Sequence, residues 1–242
     1  MFHHNDIQRK TGDHVRKFGS SIDVTKTDVP IDIWSYSSEQ ASYVFPSDSG
    51  ESLFVSSSNA SDTVPIKVQG LDENFNLKTQ TVSLQGRTKL SLDGLWSRVF
   101  RAFNDDSSNL LGDVYVYTDS TVVNGVPQTN ANVKAEINVG NDQTTMAIYT
   151  VPAGKNLYLS QYHVSIDAKN THSSYATISI NVREYGSIFK AQEIVAVSSN
   201  SPSVISFDVP FTVREKSDIK LSIDQISTNT VDVHAVFQGS LL

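Results

Sequence analysis

Apolar and polar residues alternate without a break over residues 176–183, and the same period of two returns over 219–225 and 230–238. Ile219, Leu221 and Ile223 alternate with Lys220, Ser222 and Asp224, and Val231, Val233, Ala235 and Phe237 alternate with Asp232, His234 and Val236. A period of two is the signature of β-strands with one face on a core and one in water. Applied along the chain, it predicts strands over 52–56, 65–69, 78–84, 89–92, 96–103, 113–118 and 132–139. It predicts further strands over 145–151, 156–167, 176–185, 190–197, 203–213, 219–225 and 230–238. Turn-forming Gly, Pro, Asn, Asp and Ser punctuate these runs, and no helix-length 3.6-residue period lies between them, which argues against βαβ units. Within 203–213, Ile205, Phe207, Val209, Phe211 and Val213 share one face and Pro210 falls on the other. A proline there predicts an edge strand or a bulge.

The expected fold class is all-β: two antiparallel β-sandwich or jelly-roll-like units with an extended N-terminal arm. Residues 1–30 are polar, mixed in charge and aperiodic, and on their own bury too little apolar surface to offset their ordering. They form the expected arm, with Phe18 and Ile22 as anchors on a neighbouring subunit. Residues 31–137 form the first expected sandwich. The Asn- and Gly-rich stretches around 122–131 and 138–143 place a boundary near 138, and residues 138–242 form the second.

Composition narrows the function more than it names it. The 26 acidic residues outnumber the 19 Lys and Arg, leaving a net charge of −7. No basic cluster is available to neutralise phosphates, so nucleic acid is not an expected partner. With no cysteine, disulfides, thiolate metal sites and cysteine nucleophiles are absent together. No apolar run reaches the length of a membrane span, and the first ten residues lack the apolar core of a secretory signal.

Candidate chemistry is sparse. His163 and His234 occupy polar phases of strand patterns and His172 lies in a loop, with no HxH or HxxxH spacing to build a zinc site. No serine sits in a GxSxG context, and neither GxGxxG nor a P-loop occurs. Asp72-Glu73 and Asp105-Asp106 lie in turn-like settings, where Asp ordinarily caps the backbone. No catalytic residue, metal or cofactor is expected. Trp34, Tyr36 and Tyr43 cluster near the start of the first block: exposed, they would stack on sugar rings as in a carbohydrate-binding module, and buried, they would seal a sandwich end or a subunit contact.

Several strings, in order, resemble virion structural proteins of tailed bacteriophages. Residues 15–24, VRKFGSSIDV, are similar to a "KFGxNPDI/V" opening, and Ile31-Asp32-Ile33-Trp34 to the "EDIW" that follows it. Residues 52–63 resemble "TLxIVSSSANDT", residues 68–76 "VxGLDxNYN", and residues 143–155 "NQTxMAxYTVPAGK". The resemblance covers most of the chain and brings no catalytic residues with it. It implies a non-enzymatic virion component, assembled in the host cytoplasm, whose partners are the major capsid protein or other virion proteins. A trimeric capsid decoration or cement protein is the first expectation, a tail or head–tail connector protein the second, and a glycan-binding module the alternative of another class. Phe18, Ile22, Trp34 and Tyr36 are the expected partner contacts.

Overall fold

The computed structural model describes residues 13–169, 174–199, 203–227 and 230–242. Residues 1–12 of the expected arm and His172 lie outside the described residues. The strands in chain order are β1 (Asp13–Val24), β2 (Ile31–Asp32), β3 (Glu51–Ser57), β4 (Pro65–Asp72), β5 (Leu77–Ser83) and β6 (Leu90–Asn104). They continue with β7 (Val114–Thr118), β8 (Val122–Val123), β9 (Val126–Pro127), β10 (Val133–Ile137), β11 (Ile148–Thr150) and β12 (Leu157–Ala168). The last five are β13 (Tyr175–Arg183), β14 (Lys190–Ser198), β15 (Ser203–Val213), β16 (Asp218–Ile226) and β17 (Val231–Leu241). Among the described residues the only helical element is one 3-10 turn, Asn130–Asn132.

The chain forms two compact units, one from Met1–Trp34 together with Ala147–Leu242, the other from Ser35–Met146. In the first, one sheet has the order β1-β17-β12-β15 and the other β11-β16-β13-β14, with β2 also pairing on β16. All the pairings are antiparallel. Eight strands in this order, with the first and last side by side, are the connectivity of a jelly roll. On β17, Val231, Val233, Ala235, Phe237 and Leu241 are buried, as the sequence period requires. On β13 and β16, Ile178, Ile180, Ile219, Leu221 and Ile223 supply the opposite inner face.

This layout corrects the domain expectation. The described part of the N-terminal segment is not an arm: β1 runs antiparallel to β17, with Phe18 opposite Val236 and Gly19 opposite Ala235. It is the first strand of the jelly roll, and the other unit is an insertion between β2 and β11. The boundary therefore lies at 146/147, not near 138, and the first expected sandwich begins after Trp34. The period was invisible because the buried positions of β1 are Val15, Gly19, Ser21 and Val24, only two of them large and apolar. Gly19 is obligatory for steric reasons. A Cβ there would stand 2.4 Å from the Ala147 nitrogen and 2.5 Å from the Ile33 carbonyl oxygen. Ala147 N in turn donates to Ile33 O at 2.9 Å, so the sheets close on each other at this side.

In the inserted unit the strands form one six-stranded antiparallel sheet, β10-β7-β3-β6-β4-β5, with β8 and β9 as a separate hairpin. The sheet curls until β6 and β10 approach, and Tyr43 Oη bonds both the Val99 and the Lys134 carbonyls, at 3.3 and 3.1 Å. The two strands expected over 89–92 and 96–103 are one strand, β6. It carries an irregularity opposite Ser52 and Phe54 and a positive φ of 61° at Gly94. Buried Leu53, Val55, Ile66, Val68, Leu71, Trp96 and Tyr117 fill the curl.

The acidic turn residues act as backbone clamps. Asp72 Oδ1 accepts the amides of Asn74 and Asn76, both at 2.8 Å, and Asp106 Oδ1 accepts that of Ser108 at 2.8 Å. Asp62 is buried and holds the Leu111 and Gly112 amides at 2.8 and 3.1 Å. The Asp72 and Asp106 bonds are the local side-chain-to-backbone bonds that make Asp a turn residue, whereas Asp62 ties together loops about fifty residues apart in sequence.

Candidate functional site: the open edge of the jelly roll

The two sides of the jelly roll differ. Where β1 meets the β2 and β11 side, backbones touch at Gly19 and leave no room for a side chain. On the other side, β14 and β15 end their sheets with no further strand among the described residues. Several of their side chains are both exposed and apolar, beside polar ones such as Lys190, Gln192 and Asp208. Ile194 on β14 is 60% exposed, Val204 and Val209 on β15 are 58% and 69% exposed, and Ile188 in the β13–β14 connection is 72% exposed. An uncovered edge of this kind presents free backbone groups as well as apolar surface, and natural proteins ordinarily blunt or cover it.

The expected proline effect is present in full. β15 is an edge strand, and it is interrupted: Leu159 pairs with Phe211 while Gln161 pairs with Ser206, so four residues of β15 lie opposite one of β12. The excursion reverses the expected facing. Val209 turns out to solvent and Pro210 is buried.

The sequence-predicted partner residues separate into two pairs. Phe18 and Ile22 lie on β1 and are exposed. Trp34 is fully buried, and Tyr36 and Tyr43 nearly so. Trp34 therefore offers no ring face to a sugar or a partner, and Tyr36 shows only a small part of its surface, in the wall of a cleft. Tyr36 Oη donates to Asn130 Oδ1 at 3.1 Å, and its ring stands edge-on to Tyr115 with 6.2 Å between centroids.

Tyr36 and Tyr115 belong to a polar cleft of about 500 Å³ in the inserted unit, with Glu39, Asp113, Asn130 and Glu136 around it. The Glu136 carboxyl is pushed up to about 8, chiefly by burial and then by the nearby Asp113 and Glu39 charges, against an opposing hydrogen bond from Asn138. Burial, then the charges of Glu136 and Glu39, push the Tyr36 hydroxyl up to about 12. Sequence reasoning missed Glu136, since its place in a strand pattern marks it as an ordinary polar position. The cleft pairs no nucleophile with a base.

Glu136 makes the stability of this unit pH-dependent. Its folded-state pKa, near 8, lies above the ordinary value of 4.5, so the native state holds the proton more tightly than the unfolded chain. Its contribution is full below about pH 4.5 and is lost as the pH rises toward 8. Glu136→Gln is therefore expected to match the wild type near pH 4.5 and to exceed it by about 2–4 kcal/mol above pH 8. Urea denaturation across that range checks this; parallel profiles for the two proteins refute it.

Elsewhere, Ser20 Oγ and His234 Nδ1 are 3.0 Å apart on the outer face of β1 and β17. Among the described hydrogen bonds no carboxylate reaches His234, so the pair lacks the third member that orients a base. Among the described residues no group of three or more His, Asp or Glu is placed to hold a metal ion. No helix among them is long and apolar enough to cross a membrane.

No known protein family and no curated protein matches this chain. Among solved structures it is similar to a chain in the structure of infectious bursal disease virus Gt strain, at 11% identity and a TM-score of 0.25, over 95% of this chain and 72% of that one. It is also similar to a chain of the crystal structure of the infectious bursal disease virus VP2 subviral particle, at 9% identity and a TM-score of 0.20, over 95% of this chain and 72% of that one. Superpositions this loose carry no functional weight.

Proposed function

We propose that the protein is a non-enzymatic structural component of a phage virion, a capsid decoration or cement protein that bridges capsid subunits. The observation that carries this reading is the open β14–β15 edge, whose apolar side chains ask for a neighbour. The ordered resemblance to tailed-phage virion proteins supports it. So does a fold of antiparallel sheets in which carboxylates such as Asp62, Asp72 and Asp106 clamp loops. The mechanism is geometric: many modest contacts, repeated by symmetry, add through high local concentration. Phe18 and Ile22, exposed on β1, are the second set of proposed contacts, with the major capsid protein or another copy in a trimer.

Ile194→Lys tests the edge. The side chain is largely exposed, so the variant is expected to fold with unchanged far-UV circular dichroism and a melting temperature within a few degrees. Its binding to purified shells is expected to fall about tenfold or more, since a lysine on an edge strand opposes strand-to-strand and apolar contact. Undiminished shell binding removes the edge from the proposal. Copy number on the particle separates decoration from the tail or connector reading: hundreds per virion for the former, on the order of six or twelve for the latter.

A further inference from the structure

The outer face of a β-sheet ordinarily twists smoothly and offers no recess. On the β1-β17-β12-β15 sheet it offers one, because two irregularities fall at the same level. On β12, Ser160 is an extra residue between Leu159, opposite Gly239, and Gln161, opposite Gln238. On β15, the excursion over residues 207–210 stands beside it. Bulges re-aim side chains, and here one brings Ser160 and Gln161 to the same place. Between them lies a groove of about 530 Å³ lined by Tyr158, Gln161, Phe207, Asp208, Gln238 and Ser240 among others.

We propose that this groove binds a neutral oligosaccharide. Its volume is in the range of ligand sites. Its lining joins two half-exposed aromatic rings, Tyr158 and Phe207, to amide and hydroxyl groups. Rings of this kind pack on the C–H faces of a pyranose, while Gln and Ser side chains both donate to and accept from its hydroxyls. The polar groups are held in place. Gln161 Nε2 is 2.9 Å from His163 Nε2, and Ser160 Oγ donates to the Gln238 carbonyl at 3.2 Å. Charge decides the ligand class. No Lys or Arg lines the groove, and Asp208 is its one carboxylate. Phosphate, sulfate and acidic sugars find no guanidinium or ammonium group there, only the imidazole of His14, and a nucleic acid finds no more. An extended peptide is better served by the free backbone of the β15 edge than by the sheet face. The site is distinct from the aromatic cluster that suggested sugar stacking at the sequence level, since Trp34 is fully buried.

The inference stands apart from the assembly reading, and its test keeps the two separate. The full chain is screened by saturation-transfer NMR and calorimetry against neutral tetrasaccharides of glucose, galactose, mannose, rhamnose and N-acetylglucosamine. At least one is expected to bind, with Tyr158→Ala weakening it about tenfold or more and Gln238→Ala about threefold to tenfold. Tyr158→Phe keeps the ring and is expected to retain most of the affinity, which guards against a folding artefact. Shell binding is expected to be unchanged in all three variants. Failure of every tetrasaccharide to bind overturns the proposal, as does binding that ignores Tyr158→Ala and Gln238→Ala. A Tyr158→Ala variant that loses oligomerisation or shell binding, with no sugar bound by the wild type, reassigns the groove to a protein contact and overturns it equally.

Discussion

Gly19→Ala is expected to destabilise the jelly-roll unit by about 3 kcal/mol or more. The added methyl group would meet the Ala147 nitrogen at 2.4 Å and the Ile33 carbonyl oxygen at 2.5 Å, and the Ala147 Cβ at 3.0 Å. Two of these are backbone atoms, which cannot swing aside as a flexible side chain does. They also bond each other, Ala147 N to Ile33 O, so moving one breaks a buried hydrogen bond. The strand cannot retreat cheaply either, because β1 is laddered along β17 from Asp13 to Val24. Either the ladder opens or the sheets part, and both expose apolar side chains such as Val233 and Ile223. Differential scanning calorimetry is expected to show a melting temperature lower by about 6–12 °C. A shift of under about 2 °C would mean that β1 is not needed to close the unit.

Arg98→Ala is expected to cost the inserted unit about 3–5 kcal/mol. Arg98 lies on β6 with only 1% of its surface exposed. Its guanidinium donates to Asp48 Oδ1 and to the Ser97 carbonyl, each at 2.6 Å, and to the Pro46 carbonyl at 3.2 Å. It also lies over the Phe45 and Phe75 rings, 5.3 and 5.0 Å from their centroids. Removing it leaves carbonyls without donors, a carboxylate without its cation and two rings without the plane between them. Arg98→Lys keeps the charge but has neither the fork nor the flat face, so it is expected to recover less than half of the loss. Guanidinium chloride titration of the three proteins measures both statements. Full rescue by lysine would show that charge alone matters there.

The sequence-level reading was strongest where one strand's own alternation carries the information. The strands over β13, β16 and β17 and the turn role of Asp72 and Asp106 were legible because each depends on residues a few positions apart. The edge character of β15 was legible for the same reason: Pro210 cannot donate to a ladder wherever the strand goes. The facing of Val209 was not, because the four-residue excursion is fixed by how β15 pairs with β12. The open edge is likewise a property of the sheet order and of no single run of residues. The saccharide groove depends on two irregularities in strands far apart in sequence. Glu136 shows the same limit, since its raised pKa comes from burial and from Asp113 and Glu39 outside its own strand.

By itself the sequence determined that the chain is all-β, where most of its strands run, and, with no cysteine, that it has no thiolate to offer a metal. These follow from side-chain alternation and from residue types, both of which act locally. Only the tertiary structure decided that the N-terminal segment is the opening strand of a jelly roll, that residues 35–146 interrupt it, and that Trp34 and Tyr36 are core. The reason is physical: β1 finds its partner more than two hundred residues away, from Leu241 back to Val231. The feature that admits it is a glycine, a missing side chain that no hydrophobic pattern can register.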